Sequence, residues 1–124
     1  MAEGSRWAET ALARSSSLPA PLRAQVVGMT AEFFAWGRGD HAAGLELYRS
    51  AAEQFRALGD TRNHGHMLIG VGLELTLAGD SAAAPPILEE RVAVFRALDD
   101  PWGTAWALVD FGWALRQDGD RLQA

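Results

Sequence analysis

An aspartate recurs every twenty residues along most of this chain, and the residues around it repeat every forty. Gly39-Asp40, Gly79-Asp80 and Gly119-Asp120 mark the longer interval, and Leu58-Gly59-Asp60 and Leu98-Asp99-Asp100 fall midway. In that register Phe55-Arg56-Ala57-Leu58 lies on Phe95-Arg96-Ala97-Leu98, and Ala42-Ala43 on Ala82-Ala83. Leu68, Gly72 and Leu75 lie on Leu108, Gly112 and Leu115. Self-similarity at a fixed period marks a repeat architecture, in which each unit buries its apolar face only against its neighbours.

The punctuation has a physical reading. Glycine takes the left-handed conformation that ends a helix, and aspartate accepts hydrogen bonds from the free N–H groups that open the next, so Gly-Asp is a stop followed by a start. Asp100-Pro101 says the same, because proline in the first helical position loses no hydrogen bond. Helices are expected over about 22–38, 41–58, 61–78, 81–98 and 101–118, with another near 5–15 and a break at Ser15–Pro21. Pro85-Pro86 clashes with a helix already running from Asp80 and predicts a kinked or a delayed start, as late as Pro85.

Leu45, Tyr48, Ala52 and Phe55 recur at helical steps, as do Leu68, Val71 and Leu75, and Leu88, Val92 and Phe95; no strand alternation competes with them. Helices joined by such short turns must pack antiparallel. The expected fold is all-α, a single domain 1–124 built as an αα superhelix of antiparallel hairpins. It divides into a partial hairpin 5–21, a repeat 22–60, a repeat 61–100 and a truncated repeat 101–124.

Charge narrows the function. The net charge is −5, lysine is absent and the arginines are scattered, so no basic stripe is available for nucleic acid or an anionic membrane. No run of about 18 apolar residues offers a membrane span. The absence of cysteine removes disulfides and thiolate chemistry, and a cytoplasmic location is expected.

The residues that imitate catalytic groups have simpler explanations. His64 and His66 project from nearly opposite sides of a helix, which disfavours a shared metal. Gly65, Gly70 and Gly72 lack the preceding strand and the Lys-Ser/Thr of a nucleotide loop and read as sites of close helix packing. Glu89-Glu90 is a charged helix face, Asp99-Asp100 a cap, and Ser15-Ser16-Ser17 a linker. Neither an enzyme activity, a cofactor nor a metal is expected.

Leu68-x-x-Val71-Gly72-x-x-Leu75 and Leu108-x-x-Phe111-Gly112-x-x-Leu115 resemble the first helix of a tetratricopeptide repeat, and Gly44-x-x-x-Tyr48 and Ala84-x-x-x-Leu88 resemble the second. The first repeat departs from the pattern at Ala31-Glu32-x-x-Ala35, the family's closing proline is missing, and the unit is forty residues where the family has about thirty-four. The longer unit with its Phe55–Asp60 ending is similar to the repeats of bacterial LuxR-type, MalT-like transcriptional regulators, over roughly 5–124. This resemblance implies a non-catalytic interaction or sensor module, a piece of a larger regulator, that takes a peptide, a protein or a small inducer. The alternative is a stand-alone adaptor or oligomerising scaffold.

The resemblance also implies which residues face a partner. Carried over by register, the concave positions are Val26, His66 and Trp106; Met29, Ile69 and Val109; Phe33, Leu73 and Trp113; and Trp36, Thr76 and Arg116. Aromatic side chains with an arginine are common interface anchors. Two arrangements fit the sequence: an open aromatic groove, or a stripe packed between neighbouring helices. Beyond helix 101–118 no further second helix follows to cover Leu108, Phe111 and Leu115, and end-to-end or face-to-face self-association through that face is expected.

Overall fold

The computed structural model describes residues 2–80 and 82–123, with side chains described over 6–80 and 82–119. The chain is all-α. It runs α1 (Ala2–Ser15), α2 (Ala20–Glu32), a π-helical turn (Phe33–Gly37) that prolongs α2, α3 (His41–Ala57), α4 (Thr61–Leu77), α5 (Ala84–Ala97) and α6 (Pro101–Gln123). No strand occurs among the described residues.

The turns form as the sequence predicts. Gly39, Gly59 and Gly79 have φ of 72°, 74° and 85°. That is the left-handed region, where a side chain is costly. After α3 the N–H of Asp60 donates to Phe55 O at 3.0 Å and that of Gly59 to Arg56 O at 3.0 Å, the double closure that satisfies the last carbonyls of a helix. The end of α4 repeats it through Asp80 to Leu75 O at 2.9 Å and Gly79 to Thr76 O at 3.1 Å. The carboxylates of Asp40, Asp60 and Asp100 then cap α3, α4 and α6, accepting from the N–H groups of Ala43, Asn63 and Gly103 at 3.2, 3.2 and 2.9 Å. Such caps satisfy donors that the helix leaves free.

Two junctions differ from the other Gly-Asp turns, the first as the delayed start expected at Pro85-Pro86 and the second against expectation. Asp80 is not the cap of α5, which begins at Ala84 with prolines in its first turn, because neither Pro85 nor Pro86 can donate to an earlier carbonyl. Gly119-Asp120 does not stop α6, which continues to Gln123. A Gly-Asp pair ends a helix when the following segment packs back on it. Here nothing stands within 4 Å of a Cβ on Gly119, and the helix tolerates the glycine.

Cross-contacts fix the helix directions. Tyr48 lies on Gly70 and the carbonyl of Ala52 meets His64, so α3 and α4 run antiparallel. Gly72 under Leu88 and Gly65 under Phe95 do the same for α4 and α5. Gly44 against Ala35 reverses α3 on α2, and Gly103 under Phe95, with Arg91 Nη1 donating to Asp110 Oδ2 at 2.7 Å, reverses α6 on α5. Alternate helices therefore share a direction: α2 reaches α4 through Gly28 and Met67, and Arg62 of α4 donates to Asp100 at the head of α6 at 2.6 Å.

The seam between helices is built mainly from apolar side chains. Ala31, Ala35, Tyr48, Val71, Leu75, Leu88 and Ala114 form its centre. Ala24, Val27, Ala51 and Phe55 extend it on one side, and Val92, Phe95 and Ala107 on the other. Each large apolar side chain fully buried here contributes about 1.5–3 kcal/mol. Beside buried Ser15, Thr30 and His64, two charged side chains are buried, Glu74 and Arg91. Glu74 meets His41 Nδ1 through Oε2 at 2.7 Å. Arg91 lays its guanidinium 5.4 Å from the Phe95 ring centroid, where the ring face attracts a cation, while holding Asp110. Each thus ties its helix to a neighbour.

Candidate functional site

The same register that builds the seam places a second set of residues on α2, α4 and α6. Val26, Met29, Phe33 and Trp36 follow one stripe of α2; His66, Ile69, Leu73 and Thr76 follow the equivalent stripe of α4; Trp106, Val109, Trp113 and Arg116 follow that of α6. None of these twelve side chains is buried. Val26, Phe33, Leu73 and Thr76 are half-buried at the foot of the stripes, and the other eight are exposed.

Exposure is extreme for residues of this kind. Met29 is 70%, Trp36 59%, Trp106 59%, Val109 61% and Trp113 43% accessible. Scattered single apolar residues on a surface need no explanation, but a set repeated at equivalent positions of three co-directional helices forms a patch. Of the two arrangements left open by the sequence, open positions account for the tryptophans better than a packed stripe does.

Local structure explains how Trp36 reaches this face. The π-helical turn, closed by Arg38 N–H on Phe33 O at 3.0 Å, inserts an extra residue at the end of α2. Phe34 and Ala35 are buried, with Ala35 pressed on Gly44, while Trp36 turns outward and meets the edge of His41 at 6.2 Å between ring centroids. Phe33 is braced by an edge contact with Phe34 at 5.8 Å.

His66 lies edge-on to Phe95, with 5.5 Å between ring centroids. Partial burial holds its pKa below the ordinary histidine value, and the charges of Arg91 and Arg62 push the same way. The shift favours the uncharged ring at this position. His64 faces the other way, buried, with Nδ1 2.8 Å from Ala52 O and Nε2 3.2 Å from Glu90. The two histidines have different neighbours, and no group of three His, Asp or Glu that could hold a metal occurs among the described residues.

Three residues belong with this surface although family positions alone did not single them out. Trp102, one turn before Trp106, is 75% exposed and continues the α6 stripe; Leu22 holds the equivalent position on α2 and is exposed as well. The signal was in the register, since Leu22, Arg62 and Trp102 form a row at the forty-residue spacing. Trp7 of α1 lies beside the stripe of α2 and lines, with Ala8, Ala11, Val26, Met29, Thr30 and Phe33, an apolar hollow of about 390 Å³ that opens to solvent. Only spatial proximity links Trp7 to α2, and no motif announces it.

The serines of the first turn are engaged by the backbone: Ser15, Ser16 and Ser17 donate to the carbonyls of Leu12, Ala13 and Arg14. The stripes present exposed apolar and aromatic area. No helix among the described residues is long and apolar enough to cross a membrane. Compared with protein-family models, with curated proteins and with solved structures, the chain matches none.

Proposed function

We propose that this chain is a non-catalytic, tetratricopeptide-type interaction module that holds an apolar peptide segment of a partner protein across α2, α4 and α6. The observation that carries the reading is the exposed row Met29, Ile69 and Val109 at equivalent positions of those three helices, flanked by exposed Trp36 beside α2 and Trp106 and Trp113 on α6. Tryptophan and methionine bury large areas on contact, and Arg116 and Arg62 at the margins supply the polar rim that interfaces use. The hollows along the surface are open, which favours an elongated partner over a small inducer, whose sites are concave and enclose most of the ligand.

The forty-residue unit makes a LuxR-type, MalT-like regulator the favoured parent in this reading, with the chain as its sensor or partner-holding segment. The scaffold alternative draws on a different observation, the uncovered Leu108 and Leu115 of α6.

Peptides selected from a random displayed library on the purified chain test the reading. The selected sequences should share bulky apolar anchors, and binding should quench or shift the tryptophan emission. Trp113→Ala or Phe33→Ala should weaken a selected peptide about tenfold or more, equivalent to about 1.4 kcal/mol, while far-UV circular dichroism stays unchanged. Unaltered affinity in both variants would remove the reading.

A further inference from the structure

We infer that copies of this chain dock head to tail, the outer face of α6 in one copy against α1 of the next, each supplying the half-interface that the other lacks. The support comes from comparing each end of the stack with its own interior.

At one end, α1 is placed as α3 and α5 are. Shifting its residues by forty and eighty sets Leu12 on Ala52 and Val92, and Ser15 on Phe55 and Phe95. The burial agrees: Ser15 is buried like those phenylalanines, and Leu12 packs on Ala24, Val27, Ala51 and Phe55. The exceptions are Ala8, half-buried where Tyr48 and Leu88 are buried, and Ala11. Ala11 is exposed, whereas its counterparts Ala51 and Arg91 are buried. Ala51 is buried because α2 lies against it at Gly28, and among the described residues no helix stands in that place beside α1. Beside Ala11 the apolar hollow of Trp7, Met29 and Phe33 is open.

At the other end the relation is inverted. Leu108 and Leu115 of α6 are 44% and 49% exposed, while their counterparts Leu68 and Leu75 in α4 are 4% and 3% exposed. The row on α4, with Gly65 and Gly72, is covered by Leu88, Val94 and Phe95 of α5. The same row on α6, Ala105, Leu108, Gly112 and Leu115, is exposed, and nothing stands within 4 Å of a Cβ on Gly112.

Among the described residues, one end thus lacks the helix that follows an α4-type helix, and the other lacks the helix that precedes an α5-type helix. Setting α6 of one copy against α1 of another, as α2 stands to α3 and α4 to α5, covers both at once. The small Ala8 and Ala11 leave room for Leu108 and Leu115 to seat. For the 124-residue chain the occupant is a second copy, since one chain carries both halves of the contact. The two faces differ, so the contact is heterologous and propagates into an open stack instead of closing as a dimer.

Sedimentation velocity on the 124-residue chain, from micromolar to millimolar, tests this. Expected is a weight-average mass that rises with concentration and passes beyond two copies. Ala11→Glu and Leu108→Glu, both at exposed positions outside the aromatic stripes, should each remain monomeric across that range. Their equimolar mixture should form a complex of two chains and stop there, since only one pair of faces stays intact. A wild-type monomer up to millimolar concentration, a plateau at two copies, or a mixture without the two-chain complex overturns the inference. If circular dichroism shows that Leu108→Glu loses helix, Leu115→Glu takes its place in the mixture. Peptide binding is read on Leu108→Glu, which lies outside both the aromatic stripes and the hollow of Ala11, Met29 and Phe33; unchanged affinity there while stacking is lost lets the two readings fail separately.

Discussion

Leu88 of α5 lies directly over Gly72 of α4: a Cβ on that glycine would stand 2.6 Å from Leu88 Cδ2 and 2.8 Å from Cγ. Leu88 is itself buried in the central cluster, so it cannot swing aside without displacing its neighbours. The contact sets how closely two helices of a hairpin approach.

Gly72→Ala should therefore destabilise the fold by about 1–2 kcal/mol, the cost of overpacking less the gain from removing a helical glycine. Gly112, its counterpart in α6, has no such neighbour. Gly112→Ala should stabilise by about 0.5–1 kcal/mol through helix propensity alone. Chemical denaturation of both variants at low micromolar concentration reads the difference. Equal effects of the same sign would mean that the two positions do not differ in packing as described.

Asp99 offers a second contrast within the repeat. It occupies the place held by Gly39, Gly59 and Gly79, with φ of 52°, and makes the same closing bond to Arg96 O at 3.0 Å. The left-handed conformation costs an L-residue about 1–2 kcal/mol, less for aspartate. Freedom gained by glycine in the unfolded chain returns about 0.5–1 kcal/mol of that. Asp99→Gly should raise stability by up to about 1 kcal/mol, with a matching rise in Tm. A fall in Tm would show that the Asp99 side chain contributes more than its backbone strain removes.

The helices were legible because their ends carry their own chemistry. Asp40, Asp60 and Asp100 are caps in the sequence and caps in the structure, and the stripes through Tyr48, Phe55, Val71 and Phe95 are buried as their spacing requires. Legibility failed where a local signal depends on its surroundings. Gly119-Asp120 reads like every earlier stop, yet α6 runs through it. The π-helical turn that carries Trp36 outward has no pattern in Phe33–Gly37 from which to predict it, and its tight contact of Ala35 with Gly44 joins residues of two different helices. The partnership of His41 with buried Glu74 was equally hidden, since the two are far apart in sequence and neither repeats at the forty-residue interval. On the candidate site, the register supplied the stripes, and only coordinates could show that their tryptophans stand open.

His66 makes that surface sensitive to acid. Its pKa is held down first by burial and then by the positive charges of Arg91 and Arg62, so the unfolded chain takes up its proton at a higher pH than the folded chain does. Stability from this group is fully present above the ordinary histidine value of about 6.5, and is lost as pH falls through the lowered folded value. His66→Gln should flatten that part of the curve, so the wild-type minus variant difference in unfolding free energy should shrink on going from pH 7.5 toward roughly pH 5. A difference that grows on acidification would reverse the sign and imply that a protonated His66 finds a carboxylate in the fold. Binding should follow the same direction. Protonation puts a cation beside Arg62 in the middle of an apolar stripe, so a peptide held by Trp106 and Ile69 should dissociate more readily below the folded pKa, and the His66→Gln variant should keep its affinity through the same acid range.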